Sequence, residues 1–409
     1  MQKKILITKD VLRKDYLPCY GNKYWKTPNI DEIASKGTIF NKHYTAGTST
    51  AMAVTSMFTG KNSFEVKRKK YEEVDEYKEG ETLFDEFHKK GYKTFVIWPF
   101  EWKELAWKYS KVFPKETTVI LLKDISQNII RNVQRKIVKD KNKALNTINL
   151  ILNKIAYIVD NNEDFFVWVH LPHVINGRAS YGSDIDIFDD FVGEIRKRFN
   201  DNSIYISADH GHMNVDKGIP VYGFHTYQGT ICIPLITPRI DKKNFIDFPT
   251  SNTQLKDIIL NNKVEKLQYI YSDTQYYLQE NRKLAIIKDN YKYIFNKKDE
   301  TEEFYDLEFD PTENVNLLVE KWYDRNRFGY YNLNEIYYYP YWDKIKDIYL
   351  ELKTEKDRMW RQGSWLIESL YKLNNIRKRG LSNIKNLFVR KNTVKGRWNS
   401  NVQKLFYGK

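Results

Sequence analysis

The stretch TIFNKHYTAGTSTAMAVTSMFTGK (residues 38–61) decides how this chain is read. It starts as a short strand, and a run of small and hydroxyl-bearing residues (Gly47, Thr48, Ser49, Thr50, Ala51) then leads straight into the helical pattern AMAVTSMF. Small residues before a helix leave backbone N–H groups uncovered, and those groups with the helix dipole favour a bound anion. A hydroxyl on the first turn is placed to attack phosphorus or sulfur once its pKa is lowered. A Ser/Thr N-cap on a buried helix would look the same. The choice between the two rests on what the rest of the chain sets beside this segment.

Outward from it, strands and helices alternate. ILITKD (residues 5–10) is a strand that ends in an acid, and in α/β folds ligands gather at the carboxyl ends of strands. TPNIDEIASKG is a helix opened by Thr27-Pro28 and stopped by Gly37. ETLFDEFHKKG followed by YKTFVIW repeats the helix–strand unit. Residues 142–160 carry apolar side chains at helical spacing, from Leu145 through Ile148, Ile151 and Ile155 to Ile158. DFFVWVHLPH is a buried strand ending in histidines, residues 184–199 a helix, and SIYISADHGH a strand ending in Asp-His. The pattern predicts a mainly parallel sheet covered on both faces. From about residue 270 the texture changes to a meander of short strands, with turns at Asp289-Asn290 and Asn296–Asp299. The expected organisation is an α/β domain over 1–268, a small antiparallel β subdomain over 269–320, and a basic, Tyr/Trp-rich helical extension over 321–409.

Length and composition bound the rest. At 409 residues the chain can bury one large core and a smaller one. No run of about 18 apolar residues occurs, so no transmembrane helix is expected. The apolar part of MQKKILITKD is only ILI, too short for a secretory signal. Cys19 and Cys232 are isolated and form no disulfide framework. These features point to a cytoplasmic protein. The net charge of +14 is uneven: residues 369–409 hold eleven Lys/Arg and no Asp/Glu. Such a tail suits an acidic partner, an anionic membrane face, a polyanionic glycan or nucleic acid, or else is a solvated basic helix. No nucleic-acid recognition motif accompanies it.

Hard and borderline metal ligands recur at strand ends: Asp10, the pair Asp209-His210, and the pair His170/His173, with His225 in a loop. Any one of them reads as structural by itself. Together, two carboxylates, an imidazole and the Thr50 oxygen could hold one divalent cation. That cation would lower the hydroxyl pKa and screen a substrate's charge.

With these residues in place, the chain resembles the sulfatase branch of the alkaline phosphatase superfamily. The blocks ILITKDVLRKDYLPCYGN, TPNIDEIASKGTIFNKHYTA, DFFVWVHLPHV, ISADHGHMNVDKG, GTICIPLITP and NYKYIFNKKDETEEFYDLEFDPTENVNLL follow one another as in that family, across roughly residues 3–318. The resemblance implies a large α/β domain with a small C-terminal β subdomain. It matches Asp10, Asp209 and His210 to metal ligands and Thr50 to the nucleophile. It matches His173, and more loosely His225, to histidines that contact the transferred or leaving group. Asp189 matches a recurrent acid taken as structural.

The departures from the family are chemical. Sulfatases carry Cys or Ser followed by Pro and Arg at the nucleophile, for conversion to formylglycine; here the run is Thr50-Ala51-Met52-Ala53-Val54, and threonine cannot be converted so. Where they keep a Lys and a His for sulfate, this chain has Trp98-Pro99-Phe100-Glu101. The second acid of their opening pair is Val11. GTSTAMAVTSMF resembles instead the Thr segment of phosphoethanolamine and phosphoglycerol transferases. The expectation is a metal-dependent phosphotransferase or phosphodiesterase, with a phospho-Thr50 intermediate and leaving-group protonation by His173 with His225. One divalent ion is expected, zinc or manganese favoured by His210, with magnesium and calcium compatible. The expected partners are a phosphoester donor and a glycan or lipid-linked acceptor, such as a capsule precursor, met at the inner membrane face through the basic tail. The alternatives are a phosphate or phosphonate ester hydrolase, and a catalytically inactive sulfatase-like fold that binds glycans.

Overall fold

The computed structural model describes residues 2–66, 68–70, 73–74, 80–98, 112–121, 141–171, 181–214, 216–219, 221–274, 281–318 and 344–359. The chain divides into two compact units, Met1–Arg358 and Met359–Lys409. Every element below belongs to the first. The basic tail at 369–409, His173 and residues 99–101 lie outside the described residues; residues 344–358 are helical.

Eight strands make the main sheet: β1 (Lys3–Lys9), β2 (Thr38–Phe40), β3 (Lys93–Trp98), β4 (Thr118–Leu121), β5 (Phe165–Leu171), β6 (Ile204–Ala208), β7 (Leu235–Thr237) and β8 (Phe245–Ile246). Their spatial order is β8-β2-β7-β6-β1-β5-β3-β4. Every pairing is parallel except those of β7, which runs against both β6 and β2. The helices that cover the sheet are α1 (Pro28–Lys36), α2 (Thr50–Thr59), α3 (Leu83–Lys89), α4 (Lys141–Asn161), α5 (Tyr181–Arg196) and α6 (Leu255–Asn261).

Successive strand residues point to opposite faces, and here both faces are buried. Ile5 and Ile7 of β1, Val167 and Val169 of β5, and Ile204 and Ile206 of β6 join one core, with Ile33 of α1, Ile151 and Ile155 of α4, and Phe188 and Phe191 of α5. Leu6, Phe166, Trp168 and Tyr205, one residue out of step, join the other core with Val54, Met57 and Phe58 of α2, Phe84 of α3 and Ile258 of α6. Strands covered on both faces need continuous apolar runs, which is why ILI and FFVWV are so legible.

A second, antiparallel sheet has four strands, β9 (Ile270–Asp273), β10 (Lys283–Lys288), β11 (Tyr291–Asn296) and β12 (Thr301–Asp306). Asp289 makes the β10–β11 turn at φ 53°, a left-handed conformation that Asp and Asn tolerate better than most residues. Among the described residues, no helix is long and apolar enough to cross a membrane.

Asp189 explains how α1 docks on α5. Its carboxylate accepts the backbone N–H groups of Asn29 (3.1 Å) and Ile30 (2.9 Å) and the Asn29 side-chain amide (2.9 Å). A residue on one helix therefore caps the first turn of another, whose own Thr27 makes no side-chain cap. Asp189→Ala is expected to lower stability by about 1–2 kcal/mol, read by urea denaturation, with divalent-metal binding unchanged. Lost metal binding in the folded variant would contradict a purely structural role.

Candidate metal centre

Strand alternation decides which side chains meet. Leu6, Thr8 and Asp10 share a parity, as do Phe166, Trp168 and His170, and Tyr205, Ser207 and Asp209; the β-register sets Thr8 opposite both His170 and Ser207. This is the face that α2 covers. Asp10 and Asp209 directly follow the last residues of the adjacent strands β1 and β6.

Asp10, Asp209 and His210 each offer one ligand atom, and these atoms all lie within 4.8 Å of one another. Asp209 Oδ1 accepts the backbone N–H groups of His210 (2.8 Å) and Val11 (3.3 Å), which leaves Oδ2 for the site. Asp209 Oδ2 and Asp10 Oδ1 are buried without a hydrogen-bond partner. His210 Nδ1 lies 3.0 Å from the Gly211 carbonyl and can only donate to it, so Nε2 carries the lone pair. Nε2 lies 3.4 Å from Asp209 Oδ2 and 4.0 Å from Asp10 Oδ1. Two carboxylate oxygens and an imidazole lone pair turned on one point repel each other. A divalent cation turns that repulsion into coordination, so the donor set fits the metal expected from sequence.

Thr50 opens α2, and its Oγ1 is 3.4 Å from His210 Nε2. Ser49, the N-cap, makes no side-chain cap bond. The first intrahelical acceptor bond comes from Ala53 N to Ser49 O (2.9 Å), so the amides of Thr50, Ala51 and Met52 have no partner within the helix. The hydroxyl, the helix terminus and the three ligands thus converge.

The loop before Thr50 is held from afar. Thr48 N donates to Asp273 O (3.0 Å) and Asp273 N to Ala46 O (3.1 Å), which pins the loop to β9. Ala46 N donates to Asn252 Oδ1 (3.0 Å), and Thr48 Oγ1 to Gly223 O (3.0 Å). Gly47 is required by close approach, because a Cβ there would sit 2.3 Å from Met52 Cβ.

His170 is the penultimate residue of β5 and fully buried; His173, the other member of the expected pair, lies outside the described residues. Its Nε2 lies 4.0 Å from Asp209 Oδ2, and its Nδ1 lies 2.8 Å from Thr8 Oγ1, which accepts the Trp168 indole N–H at 2.8 Å. Burial, against the pull of Asp10, brings its pKa down to about 4. His170 is therefore a neutral wall of the site. Trp98 stacks on it at 4.8 Å and 17°, an aromatic where the family resemblance led one to look for a cation.

Val11 sits at φ 54°, a left-handed conformation unusual for a β-branched residue, with its side chain in the core and its amide on Asp209. The segment after Asp209 folds back over the site: Tyr222 stacks on His210 with ring centroids 4.4 Å apart. His225 follows, its Nδ1 2.9 Å from Lys283 Nζ and its face on Tyr227. Neither Tyr222 nor Lys283 was readable as a site residue from sequence, since no motif marks either one.

The sequence model of the family described as Sulfatase matches residues 2–244. An arylsulfatase of Clostridium perfringens is 36% identical over 93 residues, 23% of this chain and 19% of that protein. The aligned part thus spans about a fifth of that relative's length. A sulfatase-like crystal structure from Bacteroides thetaiotaomicron, described as a putative sulfatase, superposes with a TM-score of 0.66 at 14% identity, covering 88% of this chain and 92% of the other. A phosphonate monoester hydrolase of Agrobacterium radiobacter gives 0.59 at 12% identity over 86% and 95%. At such identities these two likenesses speak for the fold.

Metal removal tests the centre. Chelation is expected to lower the melting temperature, and zinc or manganese at a hundredfold over its Kd to restore about 2.7 kcal/mol of stability. In Asp209→Ala, thermal unfolding with and without metal should coincide; a persisting metal shift would place the ion elsewhere.

Proposed function

The chain belongs to the sulfatase family, and on that footing we propose that it is a metal-dependent transferase or hydrolase of phosphate esters with Thr50 as its nucleophile. The observation that carries this reading is the placement of the Thr50 hydroxyl at the start of α2, 3.4 Å from a nitrogen of the Asp10–Asp209–His210 cluster.

Asp10, Asp209 and His210 would hold the cation, which supplies positive charge against the Thr50 oxygen and the oxygens of the transferred group. Thr50 Oγ, its proton passing to solvent, attacks phosphorus in line; the bond from phosphorus to the leaving oxygen breaks, and the phosphoryl group passes to the threonine. The amides of Thr50, Ala51 and Met52 face the developing negative charge from the helix terminus. Water or an acceptor hydroxyl then takes the group from Thr50, and this last step separates hydrolase from transferase. His173 remains the proposed proton donor to the leaving oxygen.

A second reading, sulfate-ester hydrolysis, is favoured by the arylsulfatase identity of 36% over 93 residues. Against it stands the residue itself: Thr50 offers an alcohol, suited to displacement at phosphorus and to a stable phosphoester. We propose further that the acceptor is a glycan or lipid-linked hydroxyl at an anionic membrane face, with the 369–409 segment, eleven Lys/Arg and no Asp/Glu, supplying the attraction.

Intact-mass spectrometry of the metal-loaded protein with phosphodiester, phosphomonoester and aryl sulfate donors tests the nucleophile. A donor-derived adduct is expected on the wild type and absent in Thr50→Ala, whose turnover should fall by at least about 10³-fold. Turnover of an aryl sulfate alone would establish the second reading. Truncation before Ser369 is expected to weaken binding to anionic vesicles and to spare turnover of a small soluble diester; loss of both together would refute the membrane role.

A further inference from the structure

His225 closes the segment 221–225, which borders the metal centre at two points. The Tyr222 ring lies on His210, and the Gly223 carbonyl accepts the Thr48 hydroxyl at 3.0 Å. From the far side, Lys283, the first residue of β10, brings its Nζ to 2.9 Å from His225 Nδ1. Tyr227 lies flat on the imidazole, 5.4 Å between centroids at 11°. Tyr227 is itself held, its hydroxyl donating to Glu303 Oε2 at 2.8 Å, where the Tyr305 hydroxyl also donates at 2.6 Å. The ring is thus fixed at one edge and one face.

We infer that Lys283 is a positioning residue of this site, holding His225 in the tautomer that presents Nε2–H as a neutral hydrogen-bond donor. Burial lowers the Lys283 pKa, with Glu303 and Asp299 favouring the charged form; as an ammonium Lys283 has hydrogens to give and no lone pair to offer, so Nδ1 accepts, and the single proton of the neutral ring sits on Nε2. A second proton would set an imidazolium 2.9 Å from an ammonium. The charged and titratable groups bearing on His225 are Lys283 from β10, Glu303 from β12 and Tyr227 from its own segment. Burial and then Lys283 bring the ring's pKa down to about 4, with Glu303 opposing. At neutral pH His225 donates a hydrogen bond and carries no charge, a narrower role than the leaving-group acid expected from sequence. What Nε2–H meets, an oxygen of the bound ester, rests on the function proposed above; the tautomer does not.

The test uses metal-loaded protein labelled with ¹⁵N-histidine, with His225 assigned through His225→Gln, and long-range ¹H–¹⁵N spectra from pH 5 to 8 without substrate. The expected spectrum has Nδ1 unprotonated and Nε2 protonated, flat across that range. Lys283→Met is expected to raise the His225 pKa by at least about one unit, while Lys283→Arg leaves it flat. A proton on Nδ1, or a wild-type titration within the range, would overturn the inference, because Lys283 would then be a neutral acceptor. If Lys283→Met fails to fold, the wild-type spectrum and Lys283→Arg still decide the matter. With an ester identified through the Thr50 adduct, Lys283→Met should lower kcat/KM by about 10- to 100-fold, and Lys283→Arg should recover most of it. An unchanged kcat/KM would remove His225 from the reacting group. If no ester reacts with Thr50, the proposed function fails on its own, and the spectra still decide the tautomer.

Discussion

Asp209 belongs to the backbone and to the site at once, and the rest of the centre depends on that division. Oδ1 is taken by the amides of Val11 and His210, which ties the exits of β1 and β6 together. Oδ2 is left buried beside Asp10 Oδ1 and the His210 lone pair. A buried carboxylate without compensation is costly, so the fold carries a standing electrostatic demand at one point. Val11 makes the arrangement possible from the other strand: its left-handed backbone costs on the order of 1–3 kcal/mol and turns its amide toward Asp209. The strain is located where it aims a ligand.

The loop that leads into Thr50 is held by a second, independent set of contacts. The main sheet supplies the acids, but the Thr48 loop is fixed from β9 of the small sheet, through backbone bonds to Asp273. Asp273 is in turn gripped by Arg282 in two bonds of 2.8 Å, with both side chains buried. The next residue, Lys283, reaches His225. Adjacent residues at the start of β10 therefore fix both the loop that carries Thr50 and the segment that overhangs it. The small sheet is in this sense part of the active centre. Its own core, around Ile270, Ala285, Ile287, Ile294 and Tyr305, includes Tyr44 and Ile231 from the α/β portion of the chain.

How much of this could be read from the sequence follows from how local each signal is. Alternation of strand and helix, the caps at Thr27-Pro28 and Gly37, and the acids closing ILITKD and YISAD are properties of short windows, and the structure agrees with them. Asp10, Asp209 and His210 each read as structural alone, and what made them legible together was their recurrence at successive strand ends. His170 comes near the close of its strand as the sequence suggests, but its burial was not legible, because the Thr8 and Trp98 that give it polar and aromatic partners are remote in sequence. The bonds from Thr48 to Gly223 and to Asp273, and from Lys283 to His225, join residues far apart in sequence, and no window contains both ends. Asp189 lay between these cases: it was recognisable as structural, but not as the cap of a helix 160 residues away.

The cations nearest the site in sequence do not serve it. Lys9, one residue before Asp10, has the opposite strand parity and pairs with buried Asp184 at 2.7 Å. Arg13 is engaged by Asp15, Asp216 and the carbonyls of His212 and Met213. Trp98 presents an aromatic face, and Val54 is buried within α2. Neither Lys9 nor Arg13 is left for Thr50, where the start of α2 offers its N–H groups. Those dipoles face two carboxylates. Asp10 and Asp209 alone would repel an anionic ester, and only when their charge is balanced can the helix terminus attract one. The compensation that makes this arrangement of buried acids tolerable in the folded state is thus the same one that the proposed binding of an anionic ester requires. Stability and function are coupled here through a single electrostatic condition.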